Sequence, residues 1–212
     1  MDSTLPKREL LVSGVRVVQP TYPPVAVREL VANALIHQDF TISGAGPMIE
    51  IFSDRIEITN PGVPLISTQR FIDLPPRSRN ENLAALMRRL GMCEERGSGI
   101  DKVIFAVEVA QLPAPEFRLT DQHTQVVLYG PVPLGEMSRG DRVRAAYQHA
   151  ALQFVSNKSM TNASLRRRFA LTASNAATAS RIISDTIDAG FIRRADGDAG
   201  SRRHAKYVPF WA

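Results

Sequence analysis

The feature that most constrains the fold is a helical pattern with one polar flank in residues 28–40, RELVANALIHQDF. Its apolar residues recur at helical spacing and predict a face packed against a core: Leu30, Val31, Ala34 and Leu35. Glu29, Asn33 and His37 recur every four residues, and a turn of about 100° per residue stacks them along one flank of that face. Two interpretations are open: the flank faces a ligand, or it is the solvent edge of a partly buried helix.

Length and composition are those of an ordinary globular protein with one large domain or two small ones. The chain has 212 residues, of which 44% are hydrophobic and 22% charged, and domains commonly hold about 100 to 150 residues. No run approaches the roughly 20 apolar residues of a membrane-spanning helix, and the polar N-terminus lacks the apolar core of a signal peptide. We therefore expect a cytoplasmic protein. The single Cys93 cannot form an intrachain disulfide, and with four scattered histidines it offers no Cys/His metal cluster.

Charge is distributed unevenly along the chain. Residues 1–140 contain 14 Lys and Arg against 16 Asp and Glu, whereas residues 141–212 contain 12 against 5. The change follows the Pro/Gly-rich run YGPVPLGEM, and Pro and Gly often mark domain boundaries. We therefore predict two domains, 1–137 and 138–212. The basic second domain favours a polyanionic partner, and the alternative is an arginine-rich surface that only aids solubility.

The first domain has the pattern of an α+β fold. A helix is predicted over residues 24–38, and two strands follow in PMIEIFSD and RIEITNPG, with a tight hairpin at Asp54-Arg55. Four isoleucines alternate with polar residues, as in a half-buried antiparallel pair: Ile49, Ile51, Ile56 and Ile58. Later elements are a Pro-rich segment, helices in NENLAALMRRLGM and after ERGSG, and strands in FRLT and TQVVLYG.

Three segments of this domain carry chemistry. The first is the polar flank with Glu29 and Asn33. The second is ITNPG, residues 58–62, where a strand ends at Asn60. The third is RGSGI, residues 96–100, whose glycines permit close backbone approach at a helix start, where free N–H groups and the helix dipole suit a phosphate chain.

The order of these segments resembles the GHKL ATPase superfamily (gyrase, chaperone, histidine-kinase and MutL type, the Bergerat fold). The likeness is greatest to the RecG-like C-terminal ATP-binding family, a label that does not imply helicase activity, and it covers residues 22–104. It implies an α/β sandwich with a mixed sheet and helices on one face, binding ATP and Mg²⁺. By this resemblance Glu29 would be the general base and Asn33 would hold Mg²⁺. The remaining nucleotide contacts would be Asn60, Gly62, Arg96, Gly97, Ser98, Gly99 and Ile100.

Asn60 departs from the superfamily pattern, which places an Asp at the adenine-recognising turn. An amide oxygen can accept the same hydrogen bond, but a neutral acceptor is weaker than an ionised one. The alternative role of Asn60 is to form a turn at a strand end. Residues 63–95 would correspond to the lid over the nucleotide, where Arg77 and Arg79 are candidate phosphate contacts or ordinary surface arginines. We expect His37 and Asp39 to order the helix end.

The second domain has the pattern of a winged helix. Helices are predicted over residues 141–155, after Thr161 as N-cap, and over 174–189 with Gly190 as C-cap. Leu165 and Phe169 are expected to point inward, with basic neighbours, Arg166 to Arg168, beside them. In the last helix the expected inward face consists of Ala179, Ile183 and Ile187. FIRR and RRHAKYV would form a two-stranded wing.

This segment resembles the helix-turn-helix of bacterial transcription regulators, which places the N-terminal residues of its second helix in the major groove. By the resemblance Asn175, Thr178 and Arg181 would face bases. The wing residues would contact phosphates and make binding salt-dependent: Arg193, Arg202, Arg203 and Lys206. A protein-docking module is the alternative.

Together these patterns predict a nucleotide-binding, DNA-binding regulator in which the ATPase-like domain controls the winged helix, with a possible homodimer. One rival is an ATPase whose main role is turnover, and the other is a degenerate scaffold for dimerisation or docking without nucleotide. In relatives of this kind a Schlafen-AlbA-type domain often precedes the ATPase-like part. The resemblance therefore implies that this chain is a fragment or a shortened relative.

Overall fold

The chain folds into an α+β sandwich followed by a mainly helical unit at residues 138–212, here called the C-terminal unit. The computed structural model describes residues 5–12, 15–75, 77–92, 99–195 and 205–212. The sandwich contains, in chain order, β1 (Lys7–Val12), β2 (Val15–Pro20), α1 (Pro24–His37), β3 (Met48–Ile51), β4 (Arg55–Pro61), a 3₁₀ turn (Thr68–Arg70), α2 (Glu81–Arg89), α3 (Gly99–Val109), β5 (Glu116–Leu119) and β6 (His123–Tyr129). Across these ranges, no helix combines the length and the apolar character needed to cross a membrane.

Helix α1 forms where the sequence predicts it and ends one residue earlier. Pro24 occupies its first turn, where a missing N–H is tolerated. At its other end the backbone of Gln38 is extended, and the Asn80 side chain donates hydrogen bonds to the carbonyls of Ile36 and Gln38, both at 2.8 Å. These bonds satisfy carbonyls that a helix C-terminus leaves open. They also tie the segment before α2 to α1.

The main sheet has the strand order β3-β4-β6-β5, and each neighbouring pair is antiparallel. The α+β sandwich is confirmed, whereas the expected mixed pairing is replaced by antiparallel pairing. The reason is topological: β3–β4 and β5–β6 are hairpins, and the crossover through α2 and α3 leaves β6 between β4 and β5. Phe52 N bonds Arg55 O at 2.8 Å and closes the predicted first hairpin.

The sheet and the helices α1 and α3 enclose one hydrophobic core. Its buried members are Leu5, Tyr22, Ala26, Val27, Leu30, Ala34, Ile56, Ile58, Val103, Val107, Leu112, Val126 and Leu128. The prediction of a half-buried hairpin is right for Ile56 and Ile58 but wrong for Ile49 and Ile51, which are exposed. Their strand, β3, lies at the edge of the sheet, so its isoleucines share the face of Ile58 and Ile56 without being covered.

The C-terminal unit consists of α4 (Arg139–Val155), α5 (Asn162–Arg168), a 3₁₀ turn (Ala173–Asn175), α6 (Ala176–Asp188), β7 (Ile192–Arg194) and β8 (Tyr207–Pro209). Capping boxes at Ser138 and Thr161 begin α4 and α5. Gly190, at φ +75°, ends α6 as predicted, with Phe191 N bonded to Thr186 O in a Schellman motif. β7 and β8 pair antiparallel, and their tip, residues 196–204, lies outside the described residues.

The inward face of α6 differs from the predicted one. Ala179 and Ile183 are buried, but Ile187 is 39% exposed, and Ile182 and Thr186 are buried instead. Residues spaced i, i+3, i+4 and i+7 form the face that packs on α4 and α5. Thr186 can join this core because its hydroxyl donates to Ile182 O at 2.6 Å. Leu165 and Phe169 are buried, as predicted.

The C-terminal unit is joined to the sandwich by hydrogen bonds as well as by the chain. Three carbonyl oxygens between α3 and β5 accept side-chain donors from α4 and α5: Leu112 from Arg168 at 2.7 Å, Ala114 from Arg144 at 3.1 Å and Pro115 from Gln148 at 2.8 Å. Ala114 also belongs to the hydrophobic cluster of the C-terminal unit. The contact between the two parts is therefore extensive, and the boundary at 137/138 remains a prediction.

A buried polar chain crosses the same contact. His149 Nδ1 lies 2.8 Å from Glu108 Oε1 on α3, and His149 Nε2 lies 3.0 Å from Ser164 Oγ on α5. Arg168 Nε lies 3.6 Å from Glu108 Oε2. His149, Ser164 and Arg168 are all buried, and His149, Ser164 and Glu108 line neither of the two cavities described below, so we assign the Ser–His–Glu arrangement to the fold.

Candidate functional site

One cleft of the sandwich, here called the cleft, has a volume of about 410 Å³ and lies between α1, the sheet, the segment after β4 and the start of α3. Its walls are largely apolar, with Leu30 and Ala34 from α1 and Ile58 and Val126 from the sheet. Polar side chains lie among them: Glu29, Asn33, His37, Asn60, Arg77, Ser78, Arg79, Glu81, Asn82, Arg88 and Thr124. A concave site that combines apolar walls with convergent polar side chains is a candidate small-molecule pocket.

The polar flank of α1 faces this cleft and meets a glycine on the other side. A Cβ on Gly99 would lie 3.1 Å from Glu29 Oε2 and 3.9 Å from Asn33 Nδ2. A side chain at position 99 would crowd the Glu29 carboxylate. Glycine therefore permits the start of α3 to approach the polar flank of α1 closely. Glu29 is only 2% exposed, whereas Asn33 is half-buried. Of the two interpretations of the flank, the structure favours a wall of the cleft over a solvent edge.

The end of β4 forms a second polar part of the cleft. Asn60 is buried, and its Nδ2 donates to Pro61 O at 3.1 Å, which leaves the side-chain oxygen as the acceptor. Thr124 on the neighbouring strand donates its hydroxyl to Gly62 O at 2.7 Å. Gly62 itself does not line the cleft: its φ is +98°, and a Cβ there would lie 2.8 Å from Asp39 Cβ. The positive φ and the close contact with Asp39 explain why position 62 is a glycine.

His37 is the last residue of the polar flank and lines the cleft, and Asp39 lies in the turn after α1. Burial, and then the nearby Arg79 guanidinium, lower the pKa of His37 below its usual value. Asp39 accepts hydrogen bonds from Thr41 N at 3.0 Å and Thr41 Oγ1 at 2.6 Å, and these bonds hold the pKa of its carboxyl below the ordinary value. The Asp39 contacts agree with the expected role in ordering the helix end.

The lid segment supplies the outer wall. Arg79 donates to Val63 O at 2.6 Å and lies 3.6 Å from Asp39, so its guanidinium is held by the chain. Arg77 is exposed at the cleft and remains a candidate phosphate contact. Sequence reasoning did not single out several lining residues: Phe71, Leu74, Arg88, Phe117 and Thr124. Their contribution depends on tertiary contacts, and no local motif marks them.

Of the Gly-rich motif, Gly99 and Ile100 line the cleft, whereas Arg96, Gly97 and Ser98 lie outside the described residues. In the described ranges no three His, Cys, Asp or Glu side chains come together as a metal site. Asn33 offers one amide oxygen at the cleft, and phosphate and water oxygens can complete a Mg²⁺ shell.

The predicted DNA contacts lie on the C-terminal unit, away from the cleft. Asn175 and Arg181 are exposed, and Thr178 is half-buried. Arg193 donates through Nη2 to Ala212 O at 2.5 Å and through Nη1 to Arg194 O at 3.2 Å, so its guanidinium makes contacts within the chain. Arg202 and Arg203 lie outside the described residues. Arg168, one of the basic neighbours of Leu165 and Phe169, is buried against Glu108 and Leu112.

Comparison with protein families gives a match over residues 44–128, about two fifths of the chain, to the family described as "Putative ATP-dependent DNA helicase recG C-terminal". This match supports an ATPase-like domain. It spans β3 to β6 and includes Asn60 and Gly99. It begins after α1, so Glu29 and Asn33 lie outside the matched range.

Among solved structures, the chain is similar to the DIP2311 protein of Corynebacterium diphtheriae, with 19% identity and a TM-score of 0.58. The likeness covers 98% of this chain and 43% of the DIP2311 chain, so this chain spans less than half of that protein. At this identity the similarity concerns the fold alone. No curated protein sequence gives a significant match.

Proposed function

We propose that the chain is a GHKL-type nucleotide-binding protein that binds Mg-ATP in the cleft and DNA through a C-terminal winged helix. The main observation in support of the nucleotide site is the close approach of Gly99 to Glu29 and Asn33 beside a cleft of about 410 Å³. Glycine at position 99 thus lets the start of α3 lie close to a carboxylate–amide pair at the wall of the cleft. The ATPase-like family match supports the same assignment.

Each residue of the cleft has a role in this proposal. Asn33 offers the oxygen that would hold Mg²⁺, while the start of α3 at Gly99 offers N–H groups and the positive end of a helix dipole to phosphates. Glu29 lies one turn before Asn33 and would orient a water and accept its proton. Bound Mg-ATP would supply the phosphoryl group, and catalysis of its transfer rests mainly on positioning.

Base recognition in this proposal rests on Asn60. Its Nδ2 is engaged by Pro61 O, so its oxygen is available to accept from an exocyclic amino group such as that of adenine. Because the amide is neutral, we expect weaker binding than an aspartate would give.

Titration calorimetry with ATP tests the nucleotide site. Binding heat is expected with Mg²⁺ and ATP, and much less with ATP plus a chelator. Absence of heat with Mg-ATP would overturn the nucleotide assignment in favour of a scaffold. Phosphate release in the wild type and in Glu29→Gln then separates binding from turnover, since the variant should retain affinity and lose hydrolysis.

The winged-helix proposal rests on the order α4-α5-α6-β7-β8 and on two further contacts. Asn162 Nδ2 bonds both Ala176 O and Ser180 Oγ at 2.9 Å, which fixes α5 against α6. Met160 and Tyr207 form a β-bridge that joins the chain before α5 to the wing. Exposed Asn175 and Arg181 then lie at the start and on the open side of α6.

Fluorescence anisotropy with duplex DNA at several salt concentrations tests this part. We expect affinity to fall steeply with salt, because phosphate contacts release counterions. Arg181→Ala should weaken binding, whereas Arg89→Ala, at an exposed arginine of α2, is the matched control outside the proposed interface. Equal loss in both variants, or no binding at low salt, would favour a protein-docking module.

A further inference from the structure

The base of the lid segment, residues 68–73, touches the cleft and the C-terminal unit at once. On its inner side Phe71 lines the cleft and packs edge-on against Phe117 of the sheet, with ring centroids 5.2 Å apart. Leu74, the residue that follows the lid base, also lines the cleft. A ligand in the cleft would therefore press on this side of the lid base.

The outer side of the lid base is held by α4 and by the last residues of the chain. The Tyr147 hydroxyl donates to Gln69 O and accepts from Trp211 Nε1 at 3.1 Å. The Arg70 guanidinium lies 5.3 Å from the centroid of the Trp211 ring, within the range of a cation–π contact. We call these contacts the clasp, formed by Gln69, Arg70, Tyr147 and Trp211.

Several contacts link the inner side of the lid base to its outer side. An ion pair between Arg70 and Asp73 closes its turn, and Leu74 N bonds Arg70 O at 3.0 Å. Ile72 is buried in a small cluster with Ala151 and Leu152 of α4. A cavity of about 490 Å³, lined by Thr68, Gln69 and Tyr147 among others, lies beside the clasp. A shift of the inner side is therefore passed on through these hydrogen bonds and through Ile72, and not by close packing alone.

We infer that the clasp transmits nucleotide occupancy of the cleft to the C-terminal unit. The inference rests on the proposed nucleotide site and names its route of regulation. A ligand that displaces Phe71 and Leu74 moves Gln69 and Arg70, and these move against Tyr147 and Trp211. By linkage, a change at the clasp alters nucleotide affinity to the same extent as the nucleotide alters the clasp.

The clasp contains its own reporter, because Trp211 is the single tryptophan of the chain. The experiment records Trp211 emission during titration with Mg-ATP, with calorimetry on the same samples. Tyr147→Phe is the test variant, since it keeps the ring and removes the hydroxyl that joins Gln69 to Trp211. Tyr207→Phe is the matched control, a tyrosine of the C-terminal unit on β8 away from the lid.

The expected result is a saturable change of Trp211 emission in the wild type and in Tyr207→Phe, reduced by at least about half in Tyr147→Phe. The Mg-ATP dissociation constant of Tyr147→Phe should shift by up to about fivefold, the equivalent of one hydrogen bond of about 1 kcal/mol. Binding without any emission change in the wild type would overturn the clasp and leave the nucleotide site standing. An undiminished emission change in Tyr147→Phe would also overturn the clasp and leave the nucleotide site standing. Absence of binding heat would overturn both.

Discussion

Two helices of this protein carry polar residues four positions apart, and the pairs do different things. On α1, Glu29 and Asn33 line the cleft, and Gly99 at the start of α3 lies close to them. On α5, Ser164 and Arg168 are buried against His149, Glu108 and Leu112 O. The four-residue spacing therefore only aligns side chains on one face of a helix. The surface packed opposite that face decides whether it is available to a ligand or stabilises the fold.

The largest expected effect concerns the α5 pair. Arg168→Ala should lower the free energy of unfolding by about 3 to 5 kcal/mol, because one partner of a buried ionic contact is removed and Glu108 is left behind. Urea denaturation measures the change. Arg167→Ala, an exposed neighbour on the same helix, should alter stability by less than about 0.5 kcal/mol. A loss below about 1 kcal/mol for Arg168→Ala would contradict a structural role for this pair.

The α1 pair should respond in the opposite way. Asn33→Ala is expected to weaken Mg-ATP binding by about ten- to a hundredfold, since contacts to charged groups contribute about 1.5 to 3 kcal/mol. Its free energy of unfolding should change little, because the side chain is only half-buried beside an open cleft. Calorimetry and urea denaturation are measured together, with Gln153→Ala on α4 as the control. Loss of stability with unchanged affinity would assign Asn33 to the fold.

A smaller effect is expected at Gly99, where glycine lets α3 approach α1 closely. In Gly99→Ala the new methyl would lie 3.1 Å from Glu29 Oε2, so the carboxylate must move. We expect Mg-ATP affinity to fall by about fivefold, about 1 kcal/mol, the lower end of the cost of overpacking. Gly140→Ala is the matched control, because a methyl there meets only Ser138 Oγ at 3.7 Å. Equal affinities of the two variants would show that the close approach at Gly99 does not affect the nucleotide site.

The smallest effect is a pH dependence from His37. Its folded-state pKa lies below the usual value of about 6.5, so between the two values the unfolded chain binds more protons. The free energy of unfolding should therefore decrease as pH falls below about 6.5 and level off below the folded pKa. His37→Gln should flatten this part of the stability profile, whereas His123→Gln on β6 should leave it in place. A slope that survives in His37→Gln would assign it to another group.

Sequence reasoning found the elements that are set locally. Helix α1, the hairpin at Arg55 and the C-cap at Gly190 all follow from apolar period, turn residues and backbone preference, which act over a few neighbouring residues. It missed the exposure of Ile49 and Ile51 because alternation indicates which residues share a face and not whether anything covers that face. The same limit explains Ile187, whose place in the core is taken by Thr186.

The residues of the candidate site likewise fall into two groups, those that a local sequence pattern indicates and those that only the folded chain brings together. The residue types and the four-residue spacing identified Glu29 and Asn33 as a pair worth testing. Phe71, Phe117 and Arg88 could not be found, because they come from the lid segment, β5 and α2 and meet only in the folded chain. The clasp is a further example, since Gln69 and Tyr147 are 78 positions apart.

By itself, the sequence determined the α+β character of the sandwich, the line of polar residues on α1 and the basic character of the last third of the chain. The tertiary structure alone decided that Gly99 faces Glu29, that Arg168 is buried, and that the lid base lies between the cleft and Trp211. The physical reason is the distance along the chain over which each property is set. Helical spacing, turn chemistry and charge are properties of neighbouring residues. The burial of a side chain, and the surface that faces it, depend on which distant segments pack against one another.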